Sequence, residues 1–303
     1  MDPAAESTTV RTLPLEWDRA KQARVIGFAV TSLLPLAFVW FSMKELAATT
    51  LENDTYSHIP LIPAISLFVL YSERQRIFAR LSSGWKVGCA LLLAAVTIFA
   101  VGSSAPFSGH KESGLSVAML ATVLAWAGAF ALFFGAKALR EASFPFLFLV
   151  FMIPIPEPLL GRSILFLQEQ SANAAGLFFR IFGIPVFRDG FVFTLPGVSI
   201  RVAEECSGIR STLALLIMAV LAGYLFLRSP WKKILLCVLV FPFAILKNGL
   251  RITTLSALAA YVDPGFLHGN LHKYGGMVFF VTGLVPLALI LIILQKTEVK
   301  KIP

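Results

Sequence analysis

The sequence predicts an all-α polytopic membrane protein with about eight transmembrane helices, an outward-facing amphipathic helix and a small β-hairpin cap. Three observations lead to this prediction. Of the 303 residues, 57% are hydrophobic and only 14% are charged, whereas soluble domains are about half apolar and a quarter charged. The apolar residues form long runs between clusters of charge. One segment after the fifth run is instead rich in β-forming residues and turn signals.

The predicted spans are apolar runs of about 20 residues, the length at which a helix crosses about 30 Å of hydrocarbon. Cutting the chain at its charge clusters gives spans at 25–43, 57–72, 87–105, 115–136, 143–161, 208–227, 233–252 and 276–295. Proline pairs interrupt the second and fifth runs, which is tolerated where neighbours or water satisfy the freed backbone groups. We therefore expect one membrane domain at 25–295, with cytoplasmic tails at 1–24 and 296–303.

The net charge of +9 is explained by topology rather than by a nucleic-acid partner. With the N-terminus inside, most basic residues fall on cytoplasmic segments, as the positive-inside rule requires. These residues are Arg11, Arg19, Lys21, Arg24, Arg74, Arg76, Arg80, Lys86, Lys137, Arg140, Arg228, Lys232, Lys233, Lys296, Lys300 and Lys301. Both termini are then cytoplasmic, and the loops at 44–56, 106–114, 157–207 and 253–275 face outward. Residues 1–24 contain four acidic residues, and no small-residue cleavage site follows the first apolar run, so we predict an uncleaved first span.

The longest outward segment has two parts. In residues 158–182, apolar side chains recur at roughly helical spacing among polar ones, which predicts a helix lying in the outer membrane interface. Residues 184–202 are rich in β-forming residues and contain the turn signals Asp189-Gly190 and Pro196-Gly197. We predict two or three short strands there, which form a cap and lead the chain to Cys206.

Three polar residues of the last three spans are predicted to lie at one depth. Cys206, Arg251 and His272 each lie 18 to 24 residues from a cytoplasmic charge of the same span. That separation is close to the roughly 20 residues that cross the bilayer. Because successive antiparallel spans joined by short loops are usually neighbours, we expect the three side chains to meet at the outer surface.

The chemistry of these three side chains is complementary. Cys206 precedes a predicted helix, where backbone N–H groups and the positive end of the helix dipole favour a thiolate. Arg251 offers a fork of donors suited to an oxyanion, and His272 can exchange a proton near neutral pH. We predict these residues as a catalytic group that uses no metal or organic cofactor. The odd count of three cysteines argues against a disulfide framework or a cysteine zinc site.

Taken alone, each of these residues has an ordinary structural interpretation. A cysteine at a membrane edge often packs as a small side chain, an arginine near a helix end often reaches lipid phosphates, and a loop histidine is often solvated. By spacing alone, His58 likewise fits a polar anchor at the interface better than a ligand. The occurrence of three complementary groups at one depth favours catalysis.

Several motifs resemble the exosortase/archaeosortase family. They are Ala-Glu-Glu-Cys-Ser-Gly-Ile-Arg-Ser at 203–211, Asn-Gly-Leu-Arg-Ile at 248–252, and His272 followed by Gly275 and Gly276. Further similar stretches lie at 56–58, 144–145, 151–156 and 183–190. The likeness extends from about residue 50 to residue 285, which is most of the chain.

This resemblance implies a membrane-embedded cysteine transpeptidase. The family cleaves exported proteins that end in a sorting tail, which consists of a short motif, a transmembrane helix and a basic end. Cys206 would be the nucleophile, and Arg251 and His272 would match the other two catalytic positions. Histidine at the third position, where archaeal members have arginine, indicates the bacterial branch, which acts on PEP-CTERM-type tails in exopolysaccharide-producing bacteria with two membranes.

The motifs also imply a set of supporting or substrate-binding residues: Glu205, Ser207, Gly208, Arg210, Asn248 and His58. His272 is favoured over His268 by the glycine and aromatic residues that follow it. Arg210 lies four residues after Cys206 and can add positive charge near the thiol or order Glu205. The acceptor nucleophile, the tail motif and the oligomeric state stay open.

Two other functions remain open from the residues alone. A polytopic carrier or polymerase component of exopolysaccharide export would use the outer arginine and histidine to bind an anionic glycan without a covalent step. A membrane scaffold would need neither residue. Both are less favoured, because neither requires a cysteine at that position.

Overall fold

The chain is mostly helical, as the composition predicts. The structure is a computed structural model that describes residues 19, 22–35, 56–79, 81–102, 111–267 and 270–299, with side chains such as those at 205 and 270–275 outside the description. The helices are α1 (22–35), α2 (Leu61–Ser72), α3 (Arg74–Ile77), α4 (Trp85–Gly102), α5 (Lys111–Phe134), α6 (Ala136–Glu141), α7 (Ser143–Phe148), α8 (Glu157–Ile181), α9 (Ile209–Phe226), α10 (Pro230–Tyr261) and α11 (Asn270–Val299).

The described residues form two compact units. The first contains α1 and residues 59–154, and the second contains residues 56–58 and 155–299. In the first unit, glycine lets α4 and α5 approach closely: a Cβ built at Gly88 would lie 2.6 Å from the Leu132 side chain and 3.0 Å from the Gly128 carbonyl oxygen. Small residues at a contact between apolar helices are typical of membrane proteins.

The second unit is organised around α10, which packs on α8, α9 and α11. One apolar cluster joins the last three helices and consists of Leu215, Ala219, Leu227, Leu236, Val240, Ala244, Leu287 and Leu294. A second cluster joins α8 and α10 to the sheet and consists of Ala172, Ala175, Phe179, Phe193, Leu195, Val202 and Ile252. The expectation that the last three spans are neighbours is confirmed.

The cap is a three-stranded antiparallel sheet in the order β1 (Phe187–Asp189), β2 (Val192–Leu195) and β3 (Val198–Arg201). Its two turns contain Gly190 at φ +56° and Gly197 at φ +80°, as the two turn signals in the sequence predict. Phe193 and Leu195 alternate inward and are buried. The Phe193 ring packs 5.3 Å from that of Phe179, centroid to centroid, so the sheet is fixed to α8.

The count of eight spans is not confirmed. In the described part of the chain, five helical segments are long and apolar enough to cross a membrane: α4, residues 114–134 of α5, α9, α10 and residues 278–298 of α11. A sixth is obtained if the apolar helical segments on either side of 153–156 are taken as one broken span. The predicted first span is described only over 25–35.

Proline explains why two predicted spans are shorter or broken. Helix α2 begins directly after Pro60 and has 12 residues, well below the roughly 20 that span a bilayer. The predicted fifth span at 143–161 ends its first helical part at Met152, and an extended segment with Pro154 and Pro156 precedes α8. Proline lacks an N–H and disfavours helix in the residue before it.

Of the two helices that border the outer segments, α8 agrees with the prediction and α10 is longer than predicted. Helix α8 agrees with the helix predicted at 158–182, while its position in the membrane interface stays a prediction. Helix α10 continues to Tyr261, so residues 253–261 are helical rather than part of an outer loop. The extension is stabilised by burial, since Thr253, Ser256 and Ala259 are buried. The Thr253 hydroxyl lies 2.9 Å from the Gly249 carbonyl oxygen of its own helix and 3.3 Å from the Ala175 carbonyl oxygen of α8.

Candidate active site

Cys206 lies on a tight turn between the sheet and α9. We call residues 203–208 the Cys206 turn. After β3, a 3-10 helix covers Glu204–Cys206, and Gly208 is the N-cap of α9. The Cys206 N–H donates to the Ala203 carbonyl oxygen at 3.0 Å. The half-buried Cys206 therefore lies just before the helix, and not in its first turn.

Gly208 allows the turn to reverse direction. Its φ is +83°, in the left-handed region that residues with a Cβ rarely adopt. A Cβ at this position would also lie 3.0 Å from Cγ of Asn248. The Gly208 carbonyl oxygen accepts hydrogen bonds from the Thr212 N–H, the Thr212 hydroxyl and the Ser211 hydroxyl, each at 2.9 Å. The first turn of α9 thus fixes Gly208.

Asn248 of α10 holds the Cys206 backbone directly. Its Nδ2 donates to the Cys206 carbonyl oxygen at 2.7 Å, and its side chain is only 1% exposed. Helix length explains the contact: α9 has 18 residues and Asn248 lies 18 residues after Pro230, so both rise about 27 Å at 1.5 Å per residue. Asn248 is therefore level with the Cys206 backbone, three residues before Arg251, for which the sequence predicts this depth.

A second attachment comes from α8. Nε2 of the buried Gln168 donates to the Val202 carbonyl oxygen at 2.6 Å, directly before the Cys206 turn. Helices α8 and α10 pack tightly below it, since a Cβ built at Gly249 would lie 2.6 Å from Cβ of Ala174. The turn is therefore held by side chains of the two helices that flank it.

Arg251 follows Asn248 by three residues in α10. Residues three apart lie on one helical face, so Arg251 lies about 4.5 Å further along the same face that reaches Cys206. The guanidinium residue is half-buried. Among the supporting candidates, Ser207 is 1% exposed and its Oγ accepts from the Ile209 N–H at 3.4 Å, whereas Arg210 is exposed in the first turn of α9.

The predicted histidines are described to different extents. His272 is the third residue of α11, on a helix rather than in a loop, and its side chain lies outside the described part of the structure, as does that of Glu205. His268 also falls outside the described residues. The meeting of His272 with Cys206 and Arg251 therefore stays a prediction. His58 is half-buried in the second unit, close in sequence to the buried Tyr56, whose hydroxyl donates to the Ile155 carbonyl oxygen at 3.5 Å.

Sequence reasoning assigned no role to three residues that support the turn: Gln168, Ser211 and Lys247. Lys247 is 6% exposed and its Nζ donates to Ser211 Oγ. A signal for it was present, because a lysine inside an apolar span is rarely without a function. Gln168 and Ser211 gave no such signal, since uncharged polar side chains are common on membrane helices.

The arrangement offers thiol chemistry. None of the three cysteines forms a disulfide, and Cys206 has both a fixed backbone and an arginine on the supporting helix. Within the described ranges, no group of three His, Cys, Asp or Glu side chains is arranged to hold a metal ion. A positioned thiol, with an arginine on the helix that holds its backbone, suits nucleophilic attack on a carbonyl carbon, in which negative charge develops on oxygen.

Comparison with known protein families gives a match over most of the chain. The model of a family described as transmembrane exosortase matches residues 49–289. This range includes α2, the cap, the Cys206 turn and most of α11. No curated protein and no solved structure matches the chain.

Proposed function

Because the chain belongs to the transmembrane exosortase family, we propose that it is a cysteine transpeptidase that cleaves C-terminal sorting tails of exported proteins. One observation carries the proposal: Asn248 of α10 binds the Cys206 carbonyl oxygen at 2.7 Å, and the same helix presents Arg251 one turn further on. A carrier or scaffold needs no such support for a thiol.

In the first step, the Cys206 thiolate attacks a backbone carbonyl carbon in the sorting motif, and a carbon–sulfur bond forms. Arg251 stabilises the oxyanion of the tetrahedral intermediate. The intermediate collapses, the carbon–nitrogen bond breaks, and His272 gives a proton to the leaving amine. The substrate is then held as a thioester, and its apolar tail is released with a new N-terminus.

In the second step, an acceptor attacks the thioester carbonyl. The acceptor is an amine, a hydroxyl of a glycan or lipid, or water, and His272 takes its proton. The carbon–sulfur bond breaks and the Cys206 thiolate is regenerated. Because substrate tail and enzyme share one bilayer, membrane confinement contributes much of the proximity.

The proposal includes a location. Multiple apolar helices support a multi-pass membrane protein, and we assign it to the inner membrane of a bacterium with two membranes. Both termini would be cytoplasmic and the Cys206 turn periplasmic. The substrates would be exported proteins with PEP-CTERM-like tails that end in basic residues.

The decisive variant is Cys206→Ala, expressed in cells together with a reporter protein that ends in a short motif, an apolar helix and a basic end. We expect the reporter to stay uncut while the variant is present in the membrane at the normal amount. Cys89→Ala with Cys237→Ala is the matched control, which should cleave normally. Normal processing by Cys206→Ala contradicts the proposal and favours the alternative, a carrier without a covalent step.

A further inference from the structure

Lys247 is a charged residue enclosed by apolar helices. It lies in α10, is 6% exposed, and faces the space between α9 and α11. A Cβ built at Gly283 of α11 would lie 3.3 Å from Cδ of Lys247 and 3.2 Å from Cδ1 of Leu215. A lysine at such a place is costly unless its ammonium group is hydrogen-bonded, so its retention calls for a function.

The polar partner of Lys247 leads to the Cys206 turn. The Lys247 ammonium donates a hydrogen bond to Ser211 Oγ. Ser211 in turn donates its one hydroxyl hydrogen to the Gly208 carbonyl oxygen at 2.9 Å. Since an ammonium only donates and a hydroxyl has a single hydrogen, the direction of this chain is fixed, from Lys247 through Ser211 to Gly208.

Consecutive residues of α10 therefore hold two points of the Cys206 turn. Asn248 binds the Cys206 carbonyl oxygen at 2.7 Å, and Lys247 reaches the Gly208 carbonyl oxygen through Ser211. These two attachments bind the cysteine and its junction with α9 to the same helix, in addition to the bonds from Thr212 to the Gly208 carbonyl oxygen. A charged donor makes the second attachment stronger than a neutral one.

We propose that Lys247 is a positioning residue for Cys206, and that it acts through Ser211. The residue does not touch the reacting atoms. It holds the start of α9 against α10, the helix that also carries Arg251. The effect on catalysis rests on the proposed transpeptidase function, while the effect on the turn itself does not.

The chain offers a matched control. Lys232 lies in the same helix and is also 6% exposed, but its Nζ donates to the Leu294 carbonyl oxygen and Thr297 Oγ1, at the far end of α10. Replacing either lysine by methionine removes one buried ammonium and keeps an unbranched side chain that is one heavy atom shorter. Only the change at Lys247 should reach Cys206.

The first readout is kinetic, with purified protein and the tailed reporter as substrate. Lys247→Met should lower kcat about 10- to 100-fold and change KM by less than about threefold, because the enclosed Lys247 side chain acts on the turn and not on the substrate. Ser211→Ala should also lower kcat. The double variant should be no slower than Lys247→Met alone, since both changes break one chain. Lys247→Arg should recover part of the activity.

The second readout needs no substrate. Hydrogen exchange of a peptide covering 203–212 should become at least about threefold faster in Lys247→Met and in Ser211→Ala, since the turn opens locally. In Lys232→Met, exchange in this peptide and kcat per folded molecule should stay unchanged, even if less protein folds. If Lys247→Met does not fold, Ser211→Ala, which keeps the lysine, carries the test.

Three results would overturn the inference: unchanged exchange and kcat in the variants at Lys247 and Ser211, additive losses in the double variant, or an equal loss in Lys232→Met. Failure of the proposed transpeptidase function can be recognised separately from these three results. If Cys206→Ala still cleaves the reporter, the transpeptidase is wrong, and hydrogen exchange still decides whether Lys247 positions the turn.

Discussion

Replacement of Gly208 by alanine tests the geometry of the Cys206 turn most directly. The residue has φ +83°, and a Cβ there would lie 3.0 Å from Cγ and 3.2 Å from Nδ2 of Asn248. That Nδ2 is the atom that donates to the Cys206 carbonyl oxygen. The added methyl group therefore strains the backbone and also displaces the side chain that holds the cysteine.

The magnitude follows from these two terms. Left-handed backbone at a residue with a Cβ costs about 1–2 kcal/mol. Moving Asn248 by a few tenths of an ångström weakens a hydrogen bond whose net worth is about 0.5–1.5 kcal/mol. We expect Gly208→Ala to lower the free energy of unfolding by about 2–3 kcal/mol. Because the cysteine is displaced as well, kcat should fall about tenfold or more.

Unfolding in mixed detergent micelles and cleavage of the tailed reporter, normalised to folded protein, measure the two effects. Gly197→Ala separates them, because Gly197 has φ +80° and no atom lies within 4 Å of a Cβ there. This control should lose about 1–2 kcal/mol and keep its kcat. Adding Asn248→Ala to Gly208→Ala removes the side chain that the methyl group contacts. The double variant should therefore lose about 1 kcal/mol less stability than the sum of the two single-variant losses.

Two results would refute this reasoning. If Gly208→Ala costs no more than Gly197→Ala and cleaves normally, the contact with Asn248 does not hold the turn. If the losses in the double variant are additive, the methyl group acts through backbone strain alone.

Two further predictions concern the supports of the fold. Gln168→Leu leaves the buried Val202 carbonyl oxygen without its partner and should cost about 1–3 kcal/mol with a reduced kcat, while Glu169→Gln at the exposed neighbouring position should change neither in the same assays. In the first unit, Gly84→Ala places a Cβ 2.2 Å from the Ala131 carbonyl oxygen and should cost about 3 kcal/mol or more. Gly161→Ala, with nothing within 4 Å, should be neutral or stabilising by up to about 1 kcal/mol; equal stability of these two variants would contradict the close contact at Gly84.

Much of the fold could be predicted because it is determined by local composition. Apolar runs form helices since a bilayer leaves no other partner for their backbone groups, and Gly190 and Gly197 place the turns of the cap. The count of eight spans went beyond this rule. Hydropathy measures how apolar a segment is, whereas the prolines near 60 and 154–156 decide how long each helix can be.

The candidate site divides in the same way. Counting residues from cytoplasmic charges gave the height of Cys206 and of the segment that contains Asn248 and Arg251, because each helical residue rises by 1.5 Å. The role of His272 stays a prediction from its matching motif and depth. Lys247 and Gln168 were left without a role, since sequence spacing does not say which neighbour a side chain faces.

By itself, then, the sequence determined that the chain is helical, that it has several helices apolar enough to cross a membrane and that a small sheet precedes Cys206, and it predicted the height of that thiol. Only the tertiary structure decided that the thiol lies just before its helix, and that Asn248 and, through Ser211, Lys247 bind its turn. The physical reason is that height along a helix is additive in residues, whereas lateral contact depends on how several helices pack and rotate against one another.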